Sequence, residues 1–217
     1  MENSSGVWTS KQLKKLEPVC KSWIRECRRF SAIAGDACWW YNERASAGVL
    51  ATAAARLKGW VALEEFSTWK AKITDKGVRE EKAGRCDLWI SNDETDFAIE
   101  LKQAWQPIFS KGDALSSTMK MWESAWGDSG RLDKDEAMTR LAGVVVVPHF
   151  PTSKRSKYNR EVRKNFLQEL KNLRGVAALA WTFQADGKEY ESESKSRLFP
   201  GAAIAFRLRY RQEKATR

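Results

Sequence analysis

Asp87, Glu100 and Lys102 have residue types and a spacing that suit chemistry. Residues 85–90 and 97–102 read as strands, and Ser91-Asn92-Asp93-Glu94-Thr95-Asp96 between them is rich in turn formers, so the pair predicts an antiparallel hairpin. Glu100 and Lys102 are two apart on the second strand and share a face, while Phe97, Ile99 and Leu101 share the other. An in-register hairpin brings Asp87 beside them. Two carboxylates held together repel, and each raises the other's pKa. A divalent cation removes that conflict. Oxygen ligands supplemented by water suit Mg²⁺, with Mn²⁺ as the expected substitute. Such an ion lowers the pKa of a bound water and neutralises charge on a phosphate. Lys102 is placed to orient or deprotonate the attacking water, or to stabilise a charged transition state.

The elements that must position these groups begin with a helix predicted from Asp36, as its N-cap, to about Lys58, with Gly59 as its stop. Trp40, Glu43, Ala47, Leu50, Ala54 and Leu57 fall at alternating three- and four-residue intervals. Glu43 therefore projects from the apolar stripe, where an unpaired carboxylate is costly and a partner or a metal is expected. The plainer alternative is an acid at the sheet's edge that reaches water or an arginine. Glu64 and Glu65, on a moderate strand signal over 60–66, compete with Glu43 for the role of third acid.

Gly84-Arg85-Cys86-Asp87 followed by Ile99-Glu100-Leu101-Lys102 resembles the PD-(D/E)xK nuclease superfamily, with Cys86 where the superfamily's name has proline. The resemblance covers roughly residues 36–148. It implies an α/β, restriction-endonuclease-like αβββαβ core: a central mixed sheet flanked by helices, here with a basic N-terminal helix added. Many members carry a further acid on the first helix, which maps onto Glu43. The implied activity is Mg²⁺-dependent hydrolysis of phosphodiester bonds in nucleic acid. DNA is favoured over RNA and endonuclease action over exonuclease action, in repair, recombination, restriction or defence. Metal ligands would be Asp87, Glu100 and Glu43. The alternative is a nuclease-like fold with little or no catalysis that binds nucleic acid or a protein partner.

Beyond that core, residues 9–30 predict a helix with Leu13, Leu16, Cys20, Trp23, Ile24 and Cys27 inward and a basic outer face. We read residues 1–35 as a basic helical extension and 36–217 as the nuclease-like domain. Residues 113–126 read as a helix, and Val144–Val147 as a strand covered on both faces. A basic helix is expected over about 156–173, then strands at 176–183 and 203–210. Lys154, Arg155, Lys157, Arg160, Arg163 and Lys164 are the candidate nucleic-acid contacts. Arg207, Arg209, Arg211, Lys214 and Arg217 extend the basic track. Among 11 tryptophans, the Trp122/Trp126 pair has core spacing. Gln103 has the opposite strand parity to Lys102 and should point away from it. Cys86 should be buried, and His149 structural.

Composition bounds the rest. The chain has 217 residues, with Lys+Arg 38 against Asp+Glu 28, a formal charge of +10 that predicts a polyanionic partner. No apolar run approaches the roughly 18 residues of a membrane span, and MENSSGVWTSKQLKK has no signal-peptide core. The four cysteines form no CxxC pair, and one histidine excludes a two-histidine mechanism. A cytoplasmic protein without a membrane partner is expected. Cleavage of both strands of a duplex would favour a homodimer or a larger complex.

Overall fold

The computed structural model describes residues 4–73, 79–109, 115–185 and 188–211. In chain order these form β1 (Ser5–Thr9), α1 (Glu17–Ala34), α2 (Glu43–Ala55), β2 (Val61–Ile73), β3 (Arg79–Asn92) and β4 (Thr95–Pro107). Then come α3 (Ser116–Ser129), β5 (Thr139–Pro151), α4 (Arg160–Lys171), β6 (Val176–Phe183), β7 (Tyr190–Glu191), β8 (Arg197–Phe199) and β9 (Gly201–Arg211). The protein is α/β, built on one mixed sheet in the order β1-β6-β9-β5-β4-β3-β2. β4 and β5 run parallel, with α3 between them in sequence, and the other pairings along this path are antiparallel.

Helices cover both faces. α1 and α2 bury Trp23, Cys27, Leu50 and Ala54 against Ile99, Leu101, Val145 and Val147. α3 and α4 bury Trp122, Phe166 and Leu170 against Val144, Val146, Ala203 and Ala205. The valine run therefore feeds both cores, as an unbroken β-branched segment in a covered strand must. The six inward residues expected of the first helix are all buried. β1 pairs with β6, and α1 shares the core of α2, so the N-terminal segment is built into this sheet and core.

Local chemistry sets several boundaries away from the expected ones. The helix expected from Asp36 starts at Glu43. Asp36 instead accepts from the Ala37 N–H at 2.6 Å and the Tyr41 hydroxyl at 2.5 Å, closing a 3₁₀ turn over Cys38–Trp40. Asn42 is the true cap, its side chain accepting from the Ala45 N–H at 2.9 Å. Likewise Asn159 caps α4 by accepting from Glu161 and Val162 N–H, which leaves Lys154, Arg155 and Lys157 in a separate 3₁₀ segment. β1 and the small β7–β8 hairpin have no counterpart in the sequence pattern. Lys214 and Arg217 lie outside the described residues. No helix among the described residues is long and apolar enough to cross a membrane.

Candidate functional site

The hairpin of β3 and β4 turns tightly at Asp93-Glu94, with Asn92 Oδ1 accepting from Glu94 and Thr95 N–H at 2.9 Å each. Its ladder runs from Asn92↔Thr95 to Leu88↔Ile99 and ends there. At the next step Asp87 would face Glu100, but the strands part. Asp87 turns its carboxylate into the gap, where Oδ2 accepts from the Leu101 N–H at 2.8 Å. A side-chain acceptor thus replaces a strand carbonyl and satisfies the donor that the split leaves over. On the far side of β3, Glu65 adopts a left-handed φ of 51°, so the irregularity crosses two strands at this level. Cys86 is buried beside Ala98 and Leu132.

The split gathers the expected residues. Lys102 Nζ lies 3.3 Å from Glu43 Oε1, 3.9 Å from Asp87 Oδ2 and 3.3 Å from Asp128 Oδ2. It also donates to the Leu101 carbonyl at 3.1 Å. Glu43 arrives from the first turn of α2 and Asp128 from the last turn of α3. Burial opposes the charge on Lys102, but Asp87, Glu43 and Asp128 outweigh it and its pKa rises. Lys102 is therefore an ammonium ion held by a ring of carboxylates.

Glu100 is 1% exposed. Burial, then the negative charge of Asp87, push its pKa up to about 7, against the opposing pull of Lys70 and Lys102. Lys70 Nζ, from β2, sits 2.7 Å from Glu100 Oε1. Glu43 is also raised, first by burial and then by Asp87, with Lys102 acting against both. Burial and the charge of Asp87 thus act in the same direction on both acids.

A cleft of about 650 Å³ opens beside Asp87, lined by Glu43, Arg44, Glu65, Ser67, Gly84 and Arg85 among others. Arg44 and Arg85 stand on its exposed rim, each 3.4 Å from Glu65. That pairing separates the competitors for third acid. Glu43 contacts Lys102, whereas Glu65 lines the same cleft with its carboxylate between two arginines. Glu64 lies near Gly48 on the outer side of α2.

Gln103 points to the opposite face from Lys102, as its parity requires. Ser46 Oγ donates to its Oε1 at 2.8 Å, and its Nε2 donates to the Trp39 carbonyl at 3.3 Å. His149 is buried against Phe199, and burial followed by the charge of Arg197 lowers its pKa to about 4. Trp122 is core. Trp126 is covered by the guanidinium groups of Arg207 and Arg209, at 3.7 Å and 4.0 Å from its ring centre.

The candidate nucleic-acid contacts divide. Lys154 lies over Phe109, and Arg155 is 3.8 Å from Glu189. Lys157 is exposed in the same 3₁₀ segment. Arg160 and Lys164 line a groove beside β1. Arg163 is 9% exposed with its guanidinium over Phe183, so it is mainly a packing residue. These residues follow β5 or pack on β6, on the other side of β4 from β3 and β2.

Sequence reasoning missed Asp128, Lys70, Arg44 and Arg85. Asp128 sits at a helix end with no pattern to mark it. Lys70 belongs to the continuation of β2 past Phe66, which carries no clear strand signal.

The donor set at the split fits a hard divalent cation. Burial, with the negative charge of Asp87 added, raises the pKa of Glu100 to about 7, and carboxylate oxygens are the ligands Mg²⁺ and Mn²⁺ take. Among the described residues no three acidic, histidine or thiol side chains are already gathered as a metal cage. Mg²⁺ commonly keeps several waters and uses one or two carboxylates. Compared with protein-family models, curated proteins and solved structures, the chain has no match.

Proposed function

We propose that this chain is a metal-dependent nuclease that hydrolyses phosphodiester bonds of nucleic acid, DNA in preference to RNA, on a restriction-endonuclease-like core. The supporting observation is the parting of β3 and β4, where Asp87 and Lys102 meet Glu43 beside an arginine-rimmed cleft, with Glu100 buried behind them and paired to Lys70. The order α2-β2-β3-β4-α3-β5, with β5 parallel to β4, is the order that the resemblance implies.

Asp87 and Glu100 would hold Mg²⁺, with Glu43 supporting the ion or its waters. When bound, the ion would supply a lowered pKa for water and neutralisation of phosphate charge. Lys102 keeps its proton among three carboxylates, so of the roles open to it the one favoured is donation: orienting the attacking water and stabilising charge on the phosphate oxygens. Asp87 holds the Leu101 N–H and so fixes the start of the Glu100–Lys102 segment. Arg44 and Arg85 would attract the substrate backbone.

The test is cleavage of supercoiled plasmid, circular single-stranded DNA and structured RNA with Mg²⁺, Mn²⁺ or EDTA, by wild type, Asp87→Ala and Lys102→Ala. Metal-dependent cutting by wild type, abolished in both variants, is expected. No cutting of any substrate, with equal salt-sensitive binding by all three proteins, would overturn the reading. The second reading, a binding protein, is favoured by one observation: Lys70 and Lys102 already pair with the acids, so the cluster is partly neutralised from within.

A further inference from the structure

A second groove lies between the β1/β6 end of the sheet and α4, with a volume of about 570 Å³. Among the described residues its lining contains no acidic side chain. Arg160, Lys164 and Lys171 supply charge from α4, and Trp8 and Trp181 supply aromatic surface from the sheet. Positions 160, 164 and 171 recur on one face of the helix, because four- and seven-residue steps return to nearly the same azimuth. They span about 16 Å at 1.5 Å per residue. Trp8 and Trp181 also share a face, since Gly6 pairs with Trp181 and Trp8 with Leu179. Lys171 Nζ lies 4.7 Å from the Trp8 ring centre, so charge and ring already meet in the groove.

Gly6 permits this arrangement. A Cβ at position 6 would sit 2.3 Å from Trp181 Cζ2, so the indole lies directly on the glycine backbone. Any side chain there drives the ring off the sheet.

We infer that this groove binds single-stranded nucleic acid, with bases against Trp8 and phosphates along Lys164 and Lys171. The positive charge of Lys164 and Lys171 matches a polyanion. Aromatic faces beside that charge match unstacked bases, which a duplex does not present. The span suits a few nucleotides. This inference does not depend on the hydrolytic reading: the groove lies beside β1, and β9 and β5 intervene in the sheet before the split between β3 and β4.

The test is fluorescence anisotropy with a labelled dT₁₂ strand and a 12-base-pair duplex, in EDTA and at fixed salt, so that no cleavage contributes. Wild type should prefer the single strand. The surface double variant Lys164→Gln/Lys171→Gln should bind dT₁₂ about tenfold more weakly and show a smaller salt slope, by up to one unit for each phosphate it no longer neutralises. Trp8→Leu should weaken binding about tenfold, and Trp8→Phe should retain most of the affinity, because a phenyl ring still offers a base a face to stack on. Unchanged dT₁₂ affinity in the lysine variant, which touches no core, would overturn the inference even if Trp8→Leu does not fold. Equal affinity of wild type for strand and duplex would overturn it too. Failure of the hydrolytic reading would appear separately, as absent plasmid cleavage with this binding intact.

Discussion

Lys70 on β2 reaches past β3 to Glu100 on β4, bringing Nζ to 2.7 Å from Oε1. Gly84 on β3 leaves room for the reach. A Cβ there would lie 2.9 Å from Lys70 Cδ and 3.0 Å from Cγ, so the lysine stem runs over the bare glycine backbone. Glycine in GRCD is thus a packing requirement of the ion pair. The cluster holds two lysines with different neighbours: Lys70 pairs with the buried acid, and Lys102 with Glu43, Asp87 and Asp128.

Removing Lys70 should change the pH at which the site works. Glu100 is held at about 7 by burial and Asp87, against the pull of Lys70 and Lys102. Lys70→Met removes one of those pulls, so the pKa of Glu100 rises further. The acid limb of the cleavage-versus-pH profile should move up by about one unit, the lower end of the effect of a nearby opposite charge. Gly84→Val should reproduce part of the shift by displacing the lysine. Superimposable profiles for wild type and Lys70→Met would show that the pair does not govern Glu100.

Glu100→Gln should abolish metal-dependent cleavage and yet stabilise the protein. The folded pKa of about 7 lies above the ordinary value of 4.5, so the native state holds a proton more tightly than the unfolded chain. Stability from this group is present below about pH 4.5 and is lost as pH rises through about 7. The full loss is about 3 kcal/mol at one pKa unit per 1.36 kcal/mol. Glutamine never ionises. The variant's melting temperature should therefore exceed wild type's by roughly 6–12 °C at pH 8, and the gap should close toward pH 4.5. A gap independent of pH would refute the assignment of strain to Glu100.

Asp128 is a positioning residue for Lys102, from which it lies 3.3 Å. Asp128→Asn removes one of three charges that raise the lysine's pKa. That pKa then falls, and the alkaline limb of the cleavage profile should move to lower pH. The drop in kcat near neutrality should be about tenfold or less, because Glu43 and Asp87 still hold the ammonium. A merely structural role for Asp128 would lower melting temperature without moving that limb.

What is legible in the sequence follows from period. Phe97, Ile99 and Leu101 against Ala98, Glu100 and Lys102 is a two-residue alternation that any half-buried strand must show, so the strand and the shared face of the pair can be read directly. Asp87 can be placed beside them because a hairpin fixes register. The split itself is not legible, since nothing local says that the ladder stops at Leu88 and Ile99. Asp36 and Asn42 are both good caps, and Asp36 is drawn off by the Ala37 N–H and the Tyr41 hydroxyl while Asn42 takes the Ala45 N–H. β1 is five residues with two glycine or serine positions, too short to show a period. Asp128 and Lys70 reach the site through tertiary packing, to which sequence spacing is blind.

The rim arginines should control how substrate arrives. Arg44 and Arg85 lie on opposite elements, α2 and β3, and meet through Glu65 at 3.4 Å each. Both are largely exposed, so these pairs add little stability. Each guanidinium has donors beyond those facing Glu65, and both residues line the cleft beside Asp87. Arg85→Ala and Arg44→Ala should therefore raise KM for a DNA substrate several-fold with little change in kcat and melting temperature. Their salt slopes should fall by about one unit for each phosphate left without its arginine. Glu65→Gln should act in the opposite sense, lowering KM, because it relieves the arginines of a competing anion. If Glu65 were instead a metal ligand, Glu65→Gln would raise the Mg²⁺ concentration needed for half-maximal cleavage, and a titration at fixed DNA separates the two roles.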